Sequence, residues 1–297
     1  MTENRSFRVV GIRPLPQRLW EKKRKWYSGK PIFSILFLIL IFTGCLTCEW
    51  FMTKDPAYLD LRNCSVPPGR EFLFGTDTMG RDIFSMIWYG GRASLFIGLF
   101  SNLVSTGIAV CIGAFSGCAP AWLDELLMRF VEIMISVPGL LIIILVQAVL
   151  GPASVVSISF VIGITGWTSM AKVIRTEVRQ IRGNEHVIAA RCMGGGFFHI
   201  LWKHLAPNFL PSIMFMAVMN MRSAIAAEST LSFMGIGLPL EVISWGSMLS
   251  LSEKALSARA WWIILIPGIF LAATLLCITG LGNYLRKCGI KRENNLS

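Results

Sequence analysis

Three histidines, eight cysteines and 17 carboxylates are the side chains with which this chain of 297 residues could bind a metal, move a proton or attack a substrate. None of them has catalytic spacing. The histidines His186, His199 and His204 share one basic segment, and clustering there does not by itself make a metal site. Cys45 and Cys48 form a C-x-x-C, but no second pair or nearby histidine completes a zinc set. Most of the cysteines lie in or beside apolar runs, where cysteine packs as a small hydrophobe. The single Gly-Lys pair, Gly29-Lys30, is no P-loop: Arg24 stands at the first glycine position and Pro31 replaces the Ser/Thr. No H-E-x-x-H or G-x-S-x-G occurs. The reading is therefore of a protein that is not an enzyme and carries no cofactor and no metal.

What remains are polar blocks beside apolar runs. The first, Phe74-Gly75-Thr76-Asp77-Thr78-Met79-Gly80-Arg81-Asp82, leads to Tyr89-Gly90-Gly91-Arg92. Thr76, Asp77 or Asp82 is expected to cap a short helix ending at Gly90-Gly91, with Trp88 and Tyr89 at a membrane interface. The second runs from Glu185 through Ile188, Ala189, Ala190 and Gly194 to Pro207. Its three glycines permit a sharp turn between two helical stretches. Phe197, Leu201 and Leu205 then share one face, so the segment reads as a helix–turn–helix with a basic, aromatic tip. The third is Ala227 to Gly235, with Glu228 near its start and Arg222 six residues earlier. About 240° of helix separates those two charges, so they are not expected to pair within one helix.

The elements that must position these blocks are membrane spans. Hydrophobic residues make up 54% of the chain and charged residues 15%, against about 25% charged in soluble domains. Pro31 to Cys48 and Ala93 to Leu123 carry no Asp, Glu, Lys or Arg beyond the ends, and neither do Ile133 to Ala171 and Ala260 to Leu285. Each of these runs can cross a hydrocarbon core of about 30 Å. As one helix, Ile133 to Ala171 would extend about 58 Å. It must therefore fold back, and Gly151-Pro152 is the expected turn. A fifth span runs from near Asn208 toward Gly235, which gives six in all. Ala109, Gly113 and Gly117 form a small-residue stripe suited to close helix contact. Arg129 and Glu132, at i and i+3, are expected to pair.

The net charge of +11 follows the membrane rather than nucleic acid. Of the 28 lysines and arginines, Lys54, Arg62, Arg70, Arg81, Arg92, Lys254 and Arg259 fall on one side, and Arg222 lies within the fifth span. The rest fall on the side of the two termini, which places both termini in the cytoplasm. The expected organisation is a basic tail (1–30), a first span (31–50), an extracytoplasmic segment (51–92), a five-span core (93–285) and a short tail (286–297). The core includes the cytoplasmic loop 172–208.

The segment 185–207 resembles the coupling loop of permeases in ATP-binding-cassette (ABC) importers, E-A-A-x-x-x-G-x9-I-x-L-P. Ala189, Ala190, Gly194 and Pro207 match. Ile188 stands at the usual glutamate, and His204 and Ala206 stand at the isoleucine and leucine. The 74–82 block resembles the G-T-D-x-x-G-R-D block of dipeptide and oligopeptide importers, and Ala227–Gly235 resembles their A-E-A-S-L-S-F-L-G. The resemblance covers nearly the whole chain after the basic tail. It implies a methionine-importer-like type I permease core in a bacterial inner membrane. It also implies a second homologous permease, two ATPase subunits, and a soluble or lipid-anchored binding protein. In that setting Glu185, Ile188, Ala189, Ala190, Gly194, Phe197, His204 and Pro207 would dock the ATPase. Gly75, Thr76, Asp77, Gly80, Arg81 and Asp82 would serve on the outer side, and Arg222 and Glu228 would lie on the path or between helices. Dipeptides or oligopeptides are the expected cargo, with nickel or another small solute as the alternative. An ion-coupled secondary transporter would need an inverted repeat and buried ionisable groups at mid-membrane. Of these the chain shows Arg222 alone and no repeat.

Overall fold

The helix breaks follow from a few prolines and glycines. The computed structural model describes residues 31–183, 206–239, 241–251, 255 and 259–293, and among these it contains nine α-helices and two short 3-10 turns. The sole strand-like pairing among them is an isolated bridge between Thr76 and Asp82.

Helix α1 (Ile32–Leu46) is apolar along its length and ends at Thr47. Its last carbonyls are capped from another helix. Arg92 donates Nε to Cys45 O (2.7 Å) and Nη2 to Leu46 O (2.9 Å), while Nη1 meets Glu49 (2.8 Å). The rigid guanidinium fork thus satisfies helix-end acceptors that would otherwise have no partner.

Helix α2 (Ile83–Cys118) has 36 residues, about 54 Å of helix. It corrects the expected short helix ending at Gly90-Gly91, because the chain stays helical through both glycines. They serve close packing instead of a break. A Cβ on Gly90 would meet Ile243 Cγ2 at 2.9 Å and Ser244 Cα at 3.3 Å, and one on Gly91 would strike Cys45 Sγ and the Trp245 ring. Trp88 is likewise drawn inward, with its ring edge-on to Phe51 and Phe270, while Tyr89 stays exposed.

The charge-free run beyond α2 is divided three times. Helix α3 (Ala121–Ser136) ends at Val137, held extended by the following Pro138, and α4 (Gly139–Leu150) departs at 92°. The expected reversal at Gly151-Pro152 is present, with Gly151 at φ +88°. Helix α5 (Val155–Gly166) opens with a Ser154/Ser157 capping box. Helix α6 (Thr168–Arg182) follows at 43°. The bends at Val137-Pro138 and at Trp167 divide what the sequence reads as two plain spans.

The small-residue stripe of α2 lies on α6. A Cβ on Gly113 would come within 2.7 Å of Ala171 O, and one on Gly117 within 2.7 Å of Val178 Cγ1, while Ala109 is fully buried. Helix α7 (Ala206–Phe233) closes in a Schellman motif. Gly235, at φ +76°, bonds back to Ser232 O, and Ile236 to Leu231 O. A short helix α8 (Trp245–Ser250) and the long α9 (Trp262–Glu293) complete the described chain.

Helix α2 and the Trp262–Cys288 stretch of α9 are each long and apolar enough to cross a bilayer, as are the bent pairs α3–α4 and α5–α6 taken together. Large apolar side chains face outward, among them Leu103, Leu145, Val149 and Leu276. A soluble monomer rarely presents so much apolar surface, whereas a lipid-embedded one must.

Candidate functional site

The block before α2 folds into a closed polar knot. Asp77 Oδ1 accepts from the backbone N–H groups of Met79 and Arg81 (both 2.8 Å), and Oδ2 accepts from Arg81 Nε (2.7 Å). Thr76 Oγ1 donates to Asn63 O (2.6 Å) and accepts from Val66 N (2.8 Å). Asp82 caps α2 through Ser85 N (3.1 Å) and gathers the Ser85 and Thr53 hydroxyls at 2.6 Å. Gly75 and Gly80 adopt positive φ, and a Cβ on Gly80 would overlap the Asp60 carbonyl. Beside them the Asn63 amide and the Arg62 N–H hold the Asp60 carboxyl below the usual carboxylate range. Thr76, Asp77, Arg81 and Asp82 are all buried. Their polar atoms serve one another more than any outside ligand. The knot is also tied to α9, whose Trp262 indole donates to Thr76 O (3.1 Å).

Glu228 is fully buried and is held by hydroxyls alone among the described residues. Ser244 and Ser232 donate to Oε1 at 2.8 and 3.0 Å, and Ser229 lies 3.5 Å from Oε2. Ser244 is also the N-cap of α8, accepting from Ser247 N (3.0 Å). The carboxylate of α7 therefore grips the first residue of α8. Trp245 fixes the same helix to α2, with its N–H on Ser94 Oγ (3.1 Å) and its indole on Ile87 O (3.0 Å). Gly246 makes room for this contact, since a Cβ there would lie 2.7 Å from Ser229 Cα and 2.9 Å from Glu228 Oε1. Together Glu228, Ser244 and Trp245 latch α8 onto α2 and α7.

Arg222 does not join this latch. It is half-buried near the middle of α7. Its Nε is buried without a hydrogen-bond partner, and no carboxylate among the described residues pairs with it. The expected separation of Arg222 from Glu228 thus holds.

At the opposite end of α2 lies a cluster that sequence reasoning missed. Asp124, at the start of α3, takes a bidentate contact from Arg175 at 2.5 Å, a third bond from Arg179, and a Ser116 hydroxyl at 2.5 Å. Arg129 and Glu132 pair at 3.2 Å, as their spacing predicts. Nothing local in the sequence foretells the Asp124–Arg175 contact. The one available hint is that Arg175 and Arg179 stand four apart on the same helix face.

Of the predicted docking segment, Glu185, Ile188, Ala189, Ala190, Gly194, Phe197 and His204 lie outside the described residues, and Pro207 falls in the first turn of α7. In the sequence that segment lies between α6 and the start of α7.

A profile for the family described as binding-protein-dependent transport system inner membrane component matches residues 109–287. The chain is 32% identical over 270 residues to the dipeptide transport system permease protein DppC of Bacillus subtilis (strain 168), covering 91% of this chain and 83% of that one. It is 35% identical over 249 residues to the oligopeptide transport system permease protein OppC of the same organism, covering 84% and 79%. It is 34% identical over 286 residues to a putative peptide transport system permease protein of Brucella abortus biovar 1 (strain 9-941), covering 95% and 94%.

Proposed function

Because the chain belongs to the family of inner membrane components of binding-protein-dependent transport systems, we propose that it is one permease half of an ATP-driven importer of dipeptides or oligopeptides. The observation that carries this reading is the extent of the likeness. Relatives named for dipeptide and oligopeptide transport align over 84–91% of the chain, from the region of the outer knot through the latch to α9.

In this reading α1, α2, the pairs α3–α4 and α5–α6, α7 and α9 make six spans, with both termini in the cytoplasm and the knot outside. A second homologous permease completes the path. Two ATPase subunits dock on segment 185–207, where Gly194 sets the turn and Glu185 takes the acidic role that Ile188 does not. A binding protein delivers cargo to the outer face. Closure of the ATPases pulls on the segment between α6 and α7, and the permease pair alternates between inward and outward openings. The latch suits this cycle, because it makes α2, α7 and α8 move as one body. The knot gives that body a rigid outer rim.

Deleting the chain in a host that requires an amino acid should abolish growth when that amino acid is supplied only as a dipeptide, and growth on the free amino acid should persist. Undiminished growth on each di- and tripeptide supplied, with loss of nickel or another small solute instead, would overturn the peptide assignment.

A further inference from the structure

Between α3 and α6 lies a cleft of about 550 Å³ with walls of opposite charge. The α3 wall carries Asp124, Glu125 and Glu132, and the α6 wall carries Lys172, Arg175 and Arg179. Three of these groups are structural. Asp124 is consumed by Arg175 and Arg179, and this ion pair holds the walls in register. Arg129, the one cation on the acidic wall, is turned onto Glu132. Glu125 and Lys172 line opposite walls with no ion pair among the described residues. A cleft that keeps an acid on one side and a base on the other does not suit a simple anion or a simple cation. It suits a short ligand with an ammonium at one end and a carboxylate at the other.

We infer that this cleft binds a short zwitterionic peptide, its ammonium toward Glu125 and its carboxylate toward Lys172. The inference rests on the importer reading and deepens it by placing a peptide site within this one chain. Position gives the site a consequence. Helix α6 ends at Arg182, shortly before the proposed docking segment in the chain, so a peptide bridging α3 and α6 would hold the helix that precedes that segment. Occupancy would thereby report cargo at the cytoplasmic end to the ATPases.

The test uses the complete complex in lipid nanodiscs, without binding protein, and measures equilibrium binding of radiolabelled dialanine, N-acetyl-dialanine and dialanine amide. Wild type should bind dialanine saturably and both capped forms about tenfold or more weakly, as expected for loss of a charge-assisted contact. Lys172→Gln should weaken dialanine by a similar factor while leaving dialanine amide unchanged. Glu125→Gln should weaken dialanine while leaving N-acetyl-dialanine unchanged. Absence of saturable binding to wild type, or variants within twofold of wild type on every probe, would overturn the inference. Displacement of dialanine by anionic lipid at equal potency in wild type and Lys172→Gln would likewise overturn it in favour of a lipid site. ATP-driven dialanine uptake by the same complex with binding protein is scored separately. Intact uptake with no cleft binding sinks only the cleft, whereas absent uptake of any peptide sinks the peptide importer.

Discussion

Glu228 carries a charge-bearing group into the interior with serine hydroxyls as its described partners, and the arrangement sets its mutational behaviour. Removing the carboxyl leaves the Ser232 and Ser244 hydroxyls buried without their acceptor, at about 1–3 kcal/mol for each group left unsatisfied. Glu228→Ala should therefore lower the melting temperature of the purified permease pair and reduce its yield. Glu228→Gln keeps one carbonyl acceptor and should restore most of both; equal losses in the two variants would contradict the latch. Arg222 makes a different prediction, since its Nε is buried without a partner among the described residues. A charge facing lipid costs roughly 2.5–3.5 kcal/mol on insertion scales, so its partner is expected on the second permease or in the path. Arg222→Leu should reduce recovery of the permease pair or peptide uptake, and unchanged values of both would refute that. The sequence marks both residues as important by their position within an apolar run. It does not say that Ser244, at the start of another helix, returns to the Glu228 carboxylate.

At the scale of elements, glycine does two opposite jobs in α2. Gly113 is pressed against the Ala171 carbonyl, whereas a Cβ on Gly107 would meet nothing within 4 Å. Gly113→Ala must push α6 away from α2 and should destabilise the permease by 1 kcal/mol or more, on the order of an overpacked core position. Gly107→Ala should be neutral or stabilising by up to about 1 kcal/mol, because alanine is the better helix former. Thermal unfolding of the two variants in detergent checks this pair, and the opposite ranking would count against the α2–α6 contact. The small-residue stripe was legible from its four-residue spacing alone. The continuity of α2 through Gly90-Gly91 was not. Those glycines look like a stop, and only the chain folded against them, Cys45 and Trp245, shows that they are a contact. The same limit applies to the 92° bend. Pro138 announces a break in the helix, but its angle is set by packing that the sequence pattern does not contain.

For the whole molecule, charge asymmetry and apolar length were sufficient to read a polytopic helical protein, and the three polar blocks were sufficient to read its family. The interior of the outer block was not. The Asp82 cap was expected, but the pairing of Asp77 with Arg81 inside the block was not. The six-span arrangement predicts that reporters fused after residues 60, 152 and 250 all report the extracytoplasmic side. An inside signal at 152 would break the α4–α5 reversal away from the outer face and sink the topology. The importer reading as a whole is tested most directly by transport in proteoliposomes holding this chain, its second permease and its ATPases, with binding protein and labelled dipeptide outside and ATP within. The account predicts that label accumulates against its gradient, persists with a protonophore present, and disappears when the ATPases carry a P-loop lysine-to-alanine substitution. Accumulation that collapses with the protonophore but survives loss of ATP hydrolysis would contradict it.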